Sequence, residues 1–195
     1  MLRKAACASL FFVGLAVAAY AADVRMSRLN TWELTFSSNP PRVINLTEGT
    51  TNTIFTYVCY EVKNDTSQEI DFYPAIQIES ENGIVATAGV YPGAEAEISK
   101  RCGRDMLGFS KIIGIIKPGE TKKGLAVFKG VDAEAKKLLL YVSGLSGDFT
   151  VNQGKDGGLV VMYRTFKATY YRPGDEWHLE IDPVTLESSE WVWRE

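Results

Sequence analysis

The sequence predicts an all-β protein, a β-sandwich with one short helix (about 94–102) inserted among its strands. Three observations lead there. Apolar and polar residues alternate with a period of two along most of the chain, the pattern of half-buried strands. Gly, Pro, Asn and Asp cluster between the alternating runs, as in "KPGE", "SGLSGD" and "KDGG", which are turn signals. One stretch, Val90 to Gly103, places its apolar residues at helical spacing instead.

The chain of 195 residues opens with "MLRKAACASLFFVGLAVAAYAAD". Arg3 and Lys4 precede an apolar run from Ala5 to Ala18, and Ala19-Tyr20-Ala21 fits the small-x-small cleavage rule. This predicts a secretory signal peptide, 1–21, followed by a single domain, 22–195. The apolar run falls short of the roughly 20 residues that span a bilayer. Cys7 lies inside it with no apolar segment before, so no lipid anchor is expected. No later run approaches membrane length, so no membrane span is expected after cleavage. Loss of Arg3 and Lys4 leaves the mature chain more acidic than the net charge of −3 of the whole. An acidic chain without a basic cluster argues against nucleic acid as a partner.

Cleavage also leaves Cys59 and Cys102 as the cysteines of the mature chain. Two cysteines in an exported chain read as a disulfide; the alternative is a pair of buried thiols. With one His they are too few for a closed zinc site, and neither metal nor cofactor is expected.

Taken in order, "TWELTF" (Thr31 to Phe36) sets Trp32, Leu34 and Phe36 on one face. "TIFTYVCYEVKN" (Thr53 to Asn64) is apolar on both faces, with Ile54, Val58, Tyr60 and Val62 opposite Phe55, Tyr57 and Cys59. Such a strand is covered on both sides, at least along its first half. "IDFYPAIQIES" (Ile70 to Ser80) reads as a strand whose Pro74 marks an edge or bulge. Further strands are expected at Ile84 to Thr87, Lys111 to Ile116, Thr121 to Phe128, Leu138 to Ser143, Phe149 to Asn152, Leu159 to Tyr171 and Leu186 to Arg194. In "VYPGAEAEISKRCG", Ala94, Ile98 and Cys102 fall on one helical face. Pro92, Glu95 and Glu97 suit its start, Lys100 and Arg101 its end, and Gly103 the residue beyond. A helix laid across the Phe55–Tyr57–Cys59 face would cover it and bring Cys102 to Cys59.

For chemistry, "YYRPGDEWHLEID" (Tyr170 to Asp182) is the densest stretch. Pro173-Gly174 is a turn dipeptide, so Arg172, Pro173, Gly174, Asp175 and Glu176 are expected to form a structural corner, a solvated turn with a local Arg–carboxylate contact. The competing reading makes Asp175, Glu176 and Glu180 the acids of a carboxylate-dependent hydrolase. His178 is the single histidine, and no nucleophile elbow accompanies it; no catalytic residue is expected. Trp191 and Trp193 share one face of "EWVWRE" and would make a carbohydrate platform if exposed together, or close the core if not. Asn45 and Asn64 open N-x-[ST] sequons, relevant only in a glycosylating host.

The segments "YEVKN", "YPAIQIES", "IKPGETKKGLAVFKGVD", "LLLYVSGLSGDF", "YYRPGDEW" and "EWVWRE" occur in that order. Together they resemble a group of uncharacterised exported bacterial proteins with an immunoglobulin-like β-sandwich. The resemblance runs from about Tyr57 to the C-terminus and rests on strand and turn motifs. It implies the immunoglobulin-like architecture and a recurrent RPGDE corner, and it carries over no catalytic residue. The expectation is a non-catalytic binding module, periplasmic or secreted, for an envelope or extracellular protein or glycan. The alternative is a hydrolase or carbohydrate-binding module acting on envelope polysaccharide.

Overall fold

Strands form both where the period of two runs and where apolar residues run on both faces, and the named strands of the described residues all pair antiparallel. The computed structural model describes residues 27–48, 51–103, 105–132, 134–154, 156–173 and 184–195. The expected signal peptide lies outside them. No helix among the described residues is long and apolar enough to cross a membrane.

The first sheet is built on β3 (Thr51–Lys63). One side of β3 pairs with β8 (Thr121–Lys129), from Phe55 opposite Lys129 to Lys63 opposite Thr121. Its other side takes two short strands end to end. β1 (Thr35–Ser38) runs along Tyr60–Lys63, and β2 (Arg42–Glu48) along Thr51–Tyr57. Pro40 and Pro41 lie between them, where the missing N–H interrupts the ladder, and Asn39 N–H donates to Cys59 O across the break at 2.9 Å.

The second sheet is larger. β11 (Leu159–Tyr171) pairs on one side with β12 (Thr185–Arg194). On its other side lie β9 (Lys137–Ser143) and β10 (Phe149–Gln153), again end to end. β9 continues to β5 (Ala75–Ser80), and β5 to β6 (Val85–Thr87). A separate two-stranded ribbon joins β4 (Ile70–Phe72) to β7 (Gly114–Ile116).

The main core draws on both sheets. Val58, Tyr60, Val62, Ala126 and Phe128 come from the first, and Ile76, Ile78, Leu138, Leu140, Val142, Ala168 and Tyr170 from the second. The opposite face of β3 and β8 makes a second cluster, where Phe55, Tyr57, Cys59, Leu125 and Val127 meet Ala94 and Ile98 of α1 (Pro92–Cys102). β3 is therefore buried on both sides, as its sequence predicts, though over Phe55–Tyr60 rather than from Thr53. α1 starts at Pro92, carries Glu95 in its first turn and Lys100 and Arg101 in its last, and ends at Gly103, whose φ of +127° leaves the helix.

Four expectations need correction. Among the described residues the helices are two: α2 (Phe109–Ile112) forms one turn where Lys111 to Ile116 reads as a strand. A short apolar run does not separate a buried helical turn from a strand, and Gly114, at φ +120°, turns the chain between α2 and β7. Ile70 to Ser80 is two strands, because the chain changes sheets at Tyr73-Pro74, where proline cannot donate to a ladder. Thr31 to Phe36 is a strand only from Thr35. Before that, Arg28 and Glu33 bridge Phe149 and Ser146 of the second sheet, so the segment crosses from one sheet to the other. β2 answers no strand expected from the sequence.

Candidate functional site

Cys59 projects from β3 into the second cluster because it alternates with Val58 and Tyr60. Cys102 ends α1 on the same stripe as Ala94 and Ile98. The two form a disulfide, Cα to Cα 6.7 Å. Beside it opens a cleft of about 310 Å³, lined also by Ser37, Asn39, Glu61, Met106 and Lys123. Lys123 Nζ lies 2.8 Å from Asp105 and 3.9 Å from Glu61. The hydrogen bond with Asp105 raises the lysine's pKa and lowers the aspartate's. Both groups thus keep their charge through the neutral range, which suits fixed polar contacts and not proton transfer.

A second grouping lies where the N-terminal segment meets the second sheet. Arg164 of β11 places its guanidinium 4.4 Å from the ring centroid of Trp191. Its Nη1 donates to Glu33 Oε2 at 2.8 Å and to Asp148 Oδ2 at 3.5 Å. Asp148 is buried, and its Oδ1 accepts from Thr31 N–H at 2.9 Å and Thr31 Oγ1 at 2.8 Å. Burial pushes the Asp148 carboxyl up, but the Thr31 and Asn30 hydrogen bonds and the Arg164 charge outweigh it and hold the pKa below the usual value. A carboxylate held ionised in this way is a tether, not a general acid.

The two tryptophans of β12 differ in exposure. Trp191 is half-buried, with Phe166 against it edge-on at 5.8 Å and Arg164 over one face. Trp193 is 39% exposed. Arg172, expected in a solvated turn, is only 5% exposed. Its N–H donates to Lys136 O at 2.7 Å, and burial pulls its pKa down while the Asp132 charge supports the cation. The cause is the alternation of β11: Arg172 continues it on the buried side with Tyr170, and Tyr171 between them is exposed. Pro173 is half-buried; Gly174, Asp175, Glu176, His178 and Glu180 lie outside the described residues.

A third feature lies on the β10–β11 hairpin. Leu159, Val161 and Tyr163 alternate along one face of β11 and are 74%, 40% and 51% exposed. β9 and β5 do not extend this far, and β12 reaches it only at Tyr163, opposite Arg194, so among the described residues Leu159 and Val161 are paired with β10 alone. The sequence carries the alternation but not its direction, because whether an apolar row faces a core or solvent depends on which strands reach that level. The Arg164 grouping was equally hidden, since Glu33 and Arg164 stand 131 residues apart.

Among the described residues no three His, Cys, Asp or Glu side chains group as metal ligands. Comparison with protein-family models, with curated proteins and with solved structures finds no match for this chain.

Proposed function

We propose that the chain is an exported, immunoglobulin-like β-sandwich serving as a non-catalytic binding module, periplasmic or secreted, for an envelope or extracellular protein or glycan. The strand order supports the architecture. In an immunoglobulin domain, strands A, B and E pair in one sheet and C, F and G in the other, with C′ beside C in many. Here β1 and β2 together stand as A, β3 as B and β8 as E; β6, β5, β9 and β11 stand as C′, C, F and G. The segment carrying α1 and α2 takes the place of strand D, touching the free edge of β8 at Gly89–Val127 and Leu107–Gly124. The disulfide joins B to α1 instead of B to F. It supports export, because such bonds persist in oxidising compartments.

The observation that carries the binding role is the exposed row Leu159, Val161 and Tyr163. It lies on the hairpin joining F to G, which in variable domains is a binding loop. An aromatic and two aliphatic side chains in one row of a paired strand offer a contiguous apolar contact. The test replaces all three with Ser and uses both proteins as bait for the source envelope extract. The expected result is a stoichiometric partner held by the native chain and lost by the variant at unchanged melting temperature. A partner held equally by both proteins would remove the hairpin from the binding role.

A further inference from the structure

The segment Glu190-Trp191-Val192-Trp193-Arg194 reads as its own antiparallel complement. It lies on β12, which among the described residues pairs only with β11. A strand at a sheet edge presents a row of backbone donors and acceptors that can template another strand. We propose that β12 pairs antiparallel with β12 of a second copy of this chain, centred on Val192, joining the second sheets of two protomers into one.

The register follows from symmetry and side-chain direction. In an antiparallel pair related by a twofold axis normal to the sheet, directly opposite residues share a face. Trp191 and Trp193 lie on the face that Phe166 turns to the core, and Glu190, Val192 and Arg194 on the outer face with Lys167. Only registers centred on a residue keep these faces matched. Centring on Glu190 sets glutamate against glutamate. Centring on Trp191 sets Ser189 against Trp193 and Glu190 against Val192. Centring on Val192 sets Trp191 against Trp193 and Glu190 against Arg194, on both sides of the axis. Aromatic and opposite-charge pairs are the favourable cross-strand neighbours, and like charges are unfavourable.

The single chain is already balanced along this edge. Glu190 accepts from Lys167 Nζ at 2.7 Å, and Arg194 lies 3.6 Å over the Tyr141 ring with Glu79 at 3.7 Å. Pairing therefore needs no new ion pair; the register brings no like charges together, and it covers Trp193. The other half of β12 is set apart. The register shift beside Thr169 and Tyr170 leaves Glu187 as an extra residue, and a bulge of this kind twists an edge away from further pairing. The contact is thus limited to the tryptophan end of the strand. It is isologous and closes on two copies.

The test is register-specific cross-linking of the full chain under mild oxidation. Val192→Cys brings two thiols together at the axis, within the span of a disulfide. Ser188→Cys, on the same face, sits about 26 Å from its own copy in this register. The expected result is a shift to twice the monomer mass on a non-reducing gel for Val192→Cys and no shift for Ser188→Cys. In sedimentation equilibrium the native chain should dimerise with rising concentration, and Trp193→Ala should shift it to monomer while its melting temperature holds. A native chain that stays monomeric, or equal cross-linking by the two cysteine variants, overturns the proposal.

Discussion

Asn64 begins a sequon, yet it is wholly buried, and its side chain is committed on every side. Nδ2 donates to Gln68 O at 2.7 Å and Ile116 O at 2.8 Å, while Oδ1 accepts from Thr66 N–H at 2.9 Å and Thr66 Oγ1 at 2.7 Å. One amide thus ties the end of β3, the turn after it and the end of β7. In the folded chain a glycan on Nδ2 would take one of its two N–H donors and need room in the interior, so of the two sequons only the exposed Asn45 is open to it. Asn64→Ala takes a donor from the buried Ile116 carbonyl and the acceptor from the half-buried Thr66 amide. At about 1–3 kcal/mol for a buried unpaired group, and about 1 for the half-buried Thr66 amide, the expected loss is roughly 2–4 kcal/mol in a urea titration; a variant as stable as the native chain would show that water replaces the amide. Gly124 is constrained by packing. A Cβ there would run into the buried Tyr60 ring and Ile112 Cδ1, and Phe36, 5.5 Å from Tyr60, flanks the ring. Gly124→Ala is expected to cost about 1–3 kcal/mol through overpacking, read from the same titration.

At the scale of the element, α1 is held by Ala94 and Ile98 against the sheet and by the Cys59–Cys102 bond. The bond closes a separation of 43 residues, which the chain-entropy model equates to about 4 kcal/mol, or roughly 8–16 °C in melting temperature for a chain of this size. The Cys59→Ser, Cys102→Ser double variant should lose that stability and free α1 first. Hydrogen exchange at Glu95 and Gly103, whose N–H groups donate to Tyr91 O and Ser99 O, would speed up before exchange in β3; equal protection of α1 with and without the bond would contradict this order. These elements were legible in the sequence because their signals are local. Ala94, Ile98 and Cys102 share a helical stripe, and Phe55, Tyr57 and Cys59 share a strand face, so each announces a surface in need of the other. β2, α2 and the break at Pro74 were not legible. Their state depends on partners distant in the chain: Pro74 announces an interruption but not that β4 and β5 leave for different sheets. Arg172 sits beside a turn signal, and its burial depends on the Tyr170 side of β11 facing the core.

At the scale of the whole molecule, the segment from Arg28 to Leu34 straps the second sheet before the chain enters the first, and its fastening is acid-sensitive. Thr31 is bound twice to Asp148, Glu33 is paired with Arg164, and Leu34 N–H donates to Leu145 O at 2.8 Å. The folded pKa of Asp148 is held below its usual value despite burial. A carboxyl depressed on folding contributes stability above its unfolded pKa, about 3.9, and loses it as pH falls through the folded value. Asp132 is lowered in the same sense, chiefly by a hydrogen bond from Asn82. Lys167 and Lys123 are raised, chiefly by the hydrogen bonds they donate to Glu190 and Asp105; their contribution is present below the unfolded lysine pKa, about 10.4, and fades only above it. Stability should therefore be flat across the neutral range and fall below about pH 4, with the strap yielding first. The amides of Leu34 and Gly147, the latter donating to Trp32 O at 3.1 Å, report on it directly. Their protection should collapse in acid before that of β9. Asp148→Asn cannot titrate, so it should weaken the strap already at neutral pH and flatten the acid dependence of these two amides. If Asp148→Asn kept the native acid profile at Leu34 and Gly147, the strap would have to be fastened by apolar contact of Trp32 and Leu34 alone, and its pH sensitivity would belong to another group.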